Sequence, residues 1–325
     1  MKKLINLSNY EGHIRDRFQE DYNNIRKFLK KNNMDGIELI QYGFWNKNDI
    51  PKELITGLHL RFYPIWYDFW KGDNEKLLKK MQSKENIEML YGGKDRSCII
   101  EHYKNELDIA DEIGVEYVVL HVCHVDLLEC YSYEFEYNDE EIVDSYIELI
   151  NEVFHNKYKF KLLLENVWWP GLTFKNKDIM QKLLKEIKYE NVGFMLDTGH
   201  MINSNLDIKD SDEAVEYILN TIKNLGDIKE YIQGMHLNYS LSGEYVKEVI
   251  NQKMSFDEYD YWKLYMEVYN HISKIDTHKP FENEGVNKIL EALPIKYLVY
   301  ELLEDTLEEL ENNIKIQDKY IKQCK

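Results

Sequence analysis

Apolar residues gather along the chain in short runs that each stop at one polar or ionisable residue, and between the runs they spread to helical spacing. The runs fall at about 3–7, 36–40, 56–62, 116–123, 161–166, 192–197, 232–238 and 296–301. Near-continuous hydrophobicity over so few residues marks strands buried on both faces, as in parallel sheets. Most intervals carry an amphipathic pattern, with helices predicted at 14–31, 99–113, 139–155, 176–188, 211–224 and 305–322. In the first of these, Ile14, Phe18, Tyr22, Ile25 and Leu29 recur on one face. Gly36, Gly114 and Gly193 fall between helix and strand, where a C-cap commonly takes a left-handed residue. The last helix, acidic and amphipathic, reads as one lying on the exterior. Eight strands alternating with helices predict a closed (β/α)8 TIM barrel, one domain over residues 1–325. Two excursions exceed a minimal barrel, 61–98 after the third strand and 239–285 after the seventh. Long segments in these places build a substrate pocket or a lid.

The residues that end the runs are the candidate chemistry. G-L-H-L (57–60), V-V-L-H (118–121), L-L-L-E-N (162–166), F-M-L-D-T-G-H (194–200), G-M-H-L-N (234–238) and L-V-Y-E (298–301) share one grammar, apolar residues running into a metal-ligating group. With the D-T-H of 276–278 they supply nine candidates: His59, His121, Glu165, Asp197, His200, His236, Asp276, His278 and Glu301. In a parallel barrel all strand ends meet on one face, so residues distant in sequence converge there. A carboxylate ending an apolar strand needs charge or several donors to offset its desolvation, which singles out Glu165 and Asp197. Mixed oxygen and nitrogen ligands suit manganese, zinc, cobalt or magnesium. The aromatics Phe62, Tyr63, Trp66, Tyr67 and Trp70 follow one strand end, and Trp168 and Trp169 another; they predict a walled pocket, with Trp66 and Trp168 as substrate contacts beside His59, His121 and His200. His124 is a candidate support for a ligand if the chain has turned at the barrel mouth.

Composition narrows the partners. With 59 acidic against 41 basic residues and a formal charge of −18, the chain is a poor match for polyanions, which bind Lys/Arg-rich surfaces. A local basic groove stays compatible with that balance, because net charge governs field and solubility rather than one site. Cys98, Cys123, Cys130 and Cys324 show no regular spacing and read as reduced thiols of a cytoplasmic protein. The opening M-K-K-L-I-N-L-S-N-Y is too short in apolar residues for a secretory leader, and no run reaches the roughly 20 apolar residues of a membrane span.

The ordered set G-I-E (36–38), L-E-N (164–166), L-D-T-G-H (196–200), M-H-L-N (235–238) and Y-E (300–301) resembles the xylose-isomerase-like TIM barrels, a superfamily of sugar isomerases, sugar epimerases and the endonuclease IV group. The resemblance spans nearly the whole chain and implies two chemistries. In the isomerase and epimerase branch, residues matching Glu165, Asp197, His236 and Glu301 hold one divalent metal, and the two glutamates move a carbon-bound proton of a sugar or sugar phosphate through an enediolate. This is the leading expectation, with Glu165 and Glu301 catalytic and a small carbohydrate as substrate. In the endonuclease IV branch, residues matching all nine positions hold up to three zinc ions for phosphodiester hydrolysis, with Glu165 bridging two of them. A third reading is a metal-stabilised barrel that binds without catalysis.

The chain departs from both patterns. The basic loop expected after the second strand in the endonuclease branch reads Q-Y-G-F-W-N-K-N-D (41–49), the H-P-G-S-H reads H-V-C-H-V (121–125), and the G-E-G reads E-N-E-G (282–285). The arginine expected beyond M-H-L-N in the epimerase branch is not evident in N-Y-S-L-S-G-E-Y (238–245).

Overall fold

The computed structural model describes residues 1–41, 50–155, 157–256 and 258–322. Eight parallel strands close a barrel in chain order: β1 (Lys2–Ser8), β2 (Gly36–Ile40), β3 (Ile55–His59), β4 (Tyr117–His121), β5 (Lys161–Glu165), β6 (Val192–Asp197), β7 (Ile232–Leu237) and β8 (Tyr297–Tyr300). Closure runs through β8, whose Tyr300 lies opposite Ile5 of β1. The strands are where the apolar runs predict them, though β3 and β4 stop at their histidines, earlier than 62 and 123.

The barrel interior is a packed core of its own. Leu4, Tyr117, Val119, Leu163, Met195 and Val299 fill it, separate from the larger apolar layer between strands and helices. The Tyr117 ring fits because Gly57 has no side chain; a Cβ there would lie 2.2 Å from it. This plug forms the floor of the barrel mouth.

Three local expectations are corrected. The stretch 14–31 forms two helices, Glu11–Phe18 and Tyr22–Lys31, because Gln19 and Glu20 both adopt φ of 56° and Asp21 then caps the second. The apolar face survives the break, with Ile14, Phe18, Ile25 and Leu29 all buried. Of the three glycines, only Gly114 is a left-handed C-cap, at φ 82°. Gly36 and Gly193 lie inside strands, where a Cβ would sit 2.5 Å from Thr56 Oγ1 and 2.9 Å from the Tyr231 carbonyl.

The two excursions are folded and meet each other. Residues 61–98 carry helices Tyr67–Lys71, Asn74–Met81 and Lys84–Tyr91; residues 239–285 carry Gly243–Gln252 and Tyr261–Ile275. The backbone N–H of Tyr261 donates to Gln82 Oε1 at 3.0 Å, and the Trp262 indole to Asn86 Oδ1 at 2.9 Å. The loop after β4 joins them, its Tyr131 ring stacked 4.2 Å from His271 and its short helix Glu129–Ser132 packed on Gly243–Gln252. These contacts tie together the segments that follow β3, β4 and β7. Among the described residues no helix is long and apolar enough to cross a membrane.

Candidate metal centre

Strand ends deliver the side chains, and a lacing of polar groups fixes them. Asp197, the last residue of β6, caps the helix Thr198–Asn203: its Oδ1 accepts from the His200 N–H at 2.6 Å and its Oδ2 from Asn238 Nδ2 at 2.8 Å. Asn166 clamps the Asp197 backbone, accepting from its N–H at 2.8 Å and donating to its carbonyl at 3.0 Å. Thr198 Oγ1 donates to the Asn238 carbonyl at 2.6 Å. Gly199 lets β6 and β7 come this close, since a Cβ there would meet Asn238 Oδ1 at 1.9 Å. The motifs L-E-N, L-D-T-G-H and H-L-N are therefore one interlocked unit across β5, β6 and β7.

The D-T-H segment reaches the mouth from the far end of the β7 excursion. An antiparallel bridge pairs Tyr239 with Lys279, and Ser240 Oγ accepts from the N–H groups of Thr277 and His278 at 2.9 and 3.2 Å. His278 adopts φ of 47°, uncommon for a residue with a side chain. The strained turn aims its ring back at the strand ends.

All nine candidates converge, in four overlapping groups: His59, His121 and Glu165; Glu165, Asp197, His236 and Glu301; His200, Asp276 and His278; and His59, His236 and Glu301, while His124, Asp126 and Glu129 form a further group apart from the nine. Within each, the ligand atoms lie within 4.8 Å of one another. Glu165 belongs to two, its Oε2 lying 3.1 Å from His121 Nε2 and its Oε1 3.2 Å from His236 Nδ1. In the third group Asp276 Oδ2 stands 2.7 Å from His278 Nε2 and 3.3 Å from His200 Nε2.

Two features of the donor set fit divalent ions. Both Glu165 oxygens, His236 Nδ1 and Glu301 Oε2 are buried and make no well-aligned hydrogen bond among the described residues, although unpaired buried polar atoms are costly. Three imidazoles also turn one nitrogen to a backbone carbonyl: His59 Nδ1 to Leu60 at 2.9 Å, His200 Nδ1 to Asn166 at 2.8 Å and His278 Nδ1 to Glu301 at 3.2 Å. A carbonyl only accepts, so that nitrogen keeps its proton and the other directs a lone pair into the cluster, as metal-ligating histidines do.

Charge in the cluster is concentrated. Burial pushes the Asp197 carboxyl up to about 8, with the neighbouring Glu301 and Glu165 adding to it. Against the cost of burial, His121 and His236 hold Glu165 well below the usual carboxylate range. Likewise against burial, Asp276 and Glu301 raise His278 to about 10, Asp197 and Asp276 raise His200, and Glu301 and Glu38 raise His236. His121, where burial dominates, is lowered. Protons on His200, His236 and His278 offset the carboxylates, a role bound cations can take over. The side chains of Glu165, Asp197 and His236 are fully buried, whereas Glu301, Asp276 and His278 keep 12%, 14% and 16% exposure, so solvent reaches the centre past β8.

Among the aromatics, Trp168 lies 5.1 Å from the His200 ring and Phe62 4.3 Å from the His121 ring. Trp66 is a correction. It is buried against Tyr146 at 4.4 Å and donates to the Cys123 carbonyl at 3.0 Å, holding the β3 excursion to the barrel. His124 does similar work, its Nδ1 accepting from the Trp66 N–H at 3.2 Å. Cys98, Cys123 and Cys130 are free and buried. Most of 41–49, and Cys324, lie outside the described residues.

Sequence reasoning passed over Glu38 and Ser240. Glu38, from the G-I-E of β2, lies fully buried beneath the centre with its carboxylate 3.0 Å from His236 Nε2. A carboxylate inside an apolar strand was the available signal. Ser240 carried none, because its role depends on a turn 36 residues onward.

A family model described as xylose isomerase-like TIM barrel matches residues 70–294. Among solved structures, the fold is similar to a D-tagatose 3-epimerase-like protein at 16% identity, over 98% of this chain and 97% of that one, with a TM-score of 0.51. It is similar to endonuclease IV from Thermus thermophilus at 13% identity, over 98% of both chains, with a TM-score of 0.54. At these identities the likeness is one of fold. No curated protein sequence matches closely enough to count as a relative.

Proposed function

The chain belongs to the xylose isomerase-like TIM barrel family, and within it we propose a multinuclear, divalent-metal-dependent hydrolase of phosphoester bonds whose substrate is smaller than duplex DNA. One observation carries this reading: three of the four overlapping ligand groups take in all nine candidates, with Glu165 common to two of those three. A one-ion sugar isomerase needs only Glu165, Asp197, His236 and Glu301. There His59, His121 and His200 would serve only as substrate contacts, which leaves the close approach of Asp276 to His200 and His278 without a role.

Ions bound there would supply Lewis-acid activation of water and stabilise the charge on the attacking and leaving oxygens of a phosphoester. Imidazole and carboxylate donors in sets of three or four suit zinc or manganese. The chain's own residues do the rest. Glu165 ties two groups at a fixed spacing, the carbonyl-bound imidazoles keep their orientation, and Phe62 and Trp168 wall the approach. The segments after β3, β4 and β7, tied to one another, are taken to favour small substrates, in the cytoplasm.

The test is hydrolysis of bis(p-nitrophenyl) phosphate and p-nitrophenyl phosphate by zinc- or manganese-loaded protein. Activity removed by chelation and by His278→Ala is expected; no hydrolysis of either ester by fully loaded protein refutes the proposal. A second reading keeps one observation in its favour. Glu165 Oε1 and Glu301 Oε2 approach His236 Nδ1 at 3.2 and 3.1 Å, a self-contained group of the kind a ketose isomerase or epimerase uses. Exchange of a ketose C–H proton into D₂O, lost in Glu301→Gln, would favour it.

A further inference from the structure

We propose that Glu38 is a positioning residue that makes the group Glu165, Asp197, His236 and Glu301 the tightest of the three ion sites. The inference rests on the multinuclear reading above, which supplies the other two sites for comparison.

Glu38 sits on β2, inside the barrel and one layer below the strand ends, with no exposure to solvent. Three other strands supply its donors. Asn6 Nδ2 of β1 donates to Oε1 at 3.0 Å, the Tyr117 hydroxyl of β4 donates to Oε2 at 2.8 Å, and His236 Nε2 of β7 lies 3.0 Å from Oε1 and 3.1 Å from Oε2. Such an arrangement is built: a buried carboxylate is tolerated when its lone pairs are met from several sides.

What separates His236 from the other candidate histidines is the nature of its partner. His59, His200 and His278 turn a nitrogen to a neutral backbone carbonyl. His236 turns its Nε2 to a carboxylate, and it presents Nδ1, which makes no well-aligned hydrogen bond among the described residues, to Glu165 and Glu301. Glu38 therefore fixes the tautomer, locks the ring at the barrel axis, and places a negative charge one imidazole away from the ligand atoms around His236 Nδ1. A carboxylate behind a ligating histidine raises its basicity, and losing such a partner typically lowers metal affinity about 10–100-fold. The effect is strongest at this group because Glu38 contacts His236 directly, reaches His59 only past the His236 ring stacked 5.9 Å from it, and does not touch the His200–Asp276–His278 set.

The experiment compares wild type with Glu38→Gln in metal-free protein titrated with Zn²⁺ against a chromophoric chelator, and with Co²⁺ followed by its visible absorption. Glutamine keeps the shape and an acceptor for His236 while removing the charge, and Tyr117 can turn its hydroxyl to accept from the new amide. The expected result is that the tightest ion weakens about 10–100-fold, with an altered cobalt spectrum, while the weaker ions change less. Thermal melting of the metal-free proteins provides the control. Because Glu38 pairs with His236, the metal-free variant should melt lower than wild type in either case; a purely structural role lowers melting alone and leaves the affinity of the tightest ion and the cobalt spectrum unchanged. Zinc isotherms and cobalt spectra identical to wild type overturn the proposal. If wild type binds only one ion, the multinuclear reading fails separately, and a Glu38→Gln effect on that ion still upholds the role of Glu38.

Discussion

Gln82, in the excursion after β3, accepts a hydrogen bond from the Tyr261 backbone N–H, in the excursion after β7, at 3.0 Å. Their strands lie on opposite sides of an eight-stranded barrel, so a bond between these segments spans the mouth. With the Trp262–Asn86 bond and the Tyr131–His271 stack, it joins the excursions after β3, β4 and β7.

Wild-type protein loaded with zinc should cleave bis(p-nitrophenyl) phosphate and leave an abasic duplex oligonucleotide intact under the same conditions. Both substrates can be followed in parallel, one by absorbance and one by gel. Faster cleavage of the duplex would mean that the joined excursions do not bar it.

The sharing of Glu165 makes ion loss unequal among variants. His278→Ala should cost one ion per chain, from the group it shares with His200 and Asp276, whereas Glu165→Gln should cost two. Elemental analysis after gel filtration reads this directly. Equal losses from both variants would show that Glu165 does not join two groups.

Metal removal should also destabilise the fold. An ion present at 1,000 times its Kd stabilises the native state by about 4 kcal/mol, so losing one such ion to chelation should lower the melting temperature by about 6 °C for a chain of this size. Re-addition of Zn²⁺ should restore it. A melting temperature indifferent to chelation would contradict a native centre built to hold ions.

Gly199→Ala places a Cβ against Asn238 Oδ1, whose amide donates to Asp197. The expected cost is about 1–3 kcal/mol from overpacking, measured by urea denaturation, with weaker metal retention because Asp197 loses its donor. A variant as stable as wild type would mean that β6 and β7 can part at no cost.

Trp66 and Phe62 are predicted to separate cleanly. Trp66→Ala should cost about 3–5 kcal/mol of stability, since the ring is core between the barrel and the β3 excursion. Phe62→Ala, at the His121 ring, should chiefly raise KM. A Trp66 variant with wild-type stability and a raised KM would reverse the assignment.

These two rings show where the sequence stops being informative. The strand-end ligands were legible because a buried parallel strand leaves one obvious exit for a polar side chain, at its carboxyl end, and eight such exits meet in one place. An aromatic beyond that end carries no such sign, and the same run R-F-Y-P-I-W holds a ring at the mouth and a ring in the core. Glu38 was visible as a carboxylate in an apolar strand, but its meaning lies in donors from β1, β4 and β7 that only closure brings together. The break at Gln19 and Glu20 has no local signal, because neither residue type favours a left-handed backbone.

The metal-to-protein ratio of gently purified wild type, determined by mass spectrometry without chelators, tests the central claim most directly. The three ligand groups that take in all nine candidates predict about three ions per chain, predominantly zinc. A single manganese, cobalt or magnesium ion that stays single after reloading with excess zinc would contradict the multinuclear centre and leave the one-ion isomerase chemistry in its place.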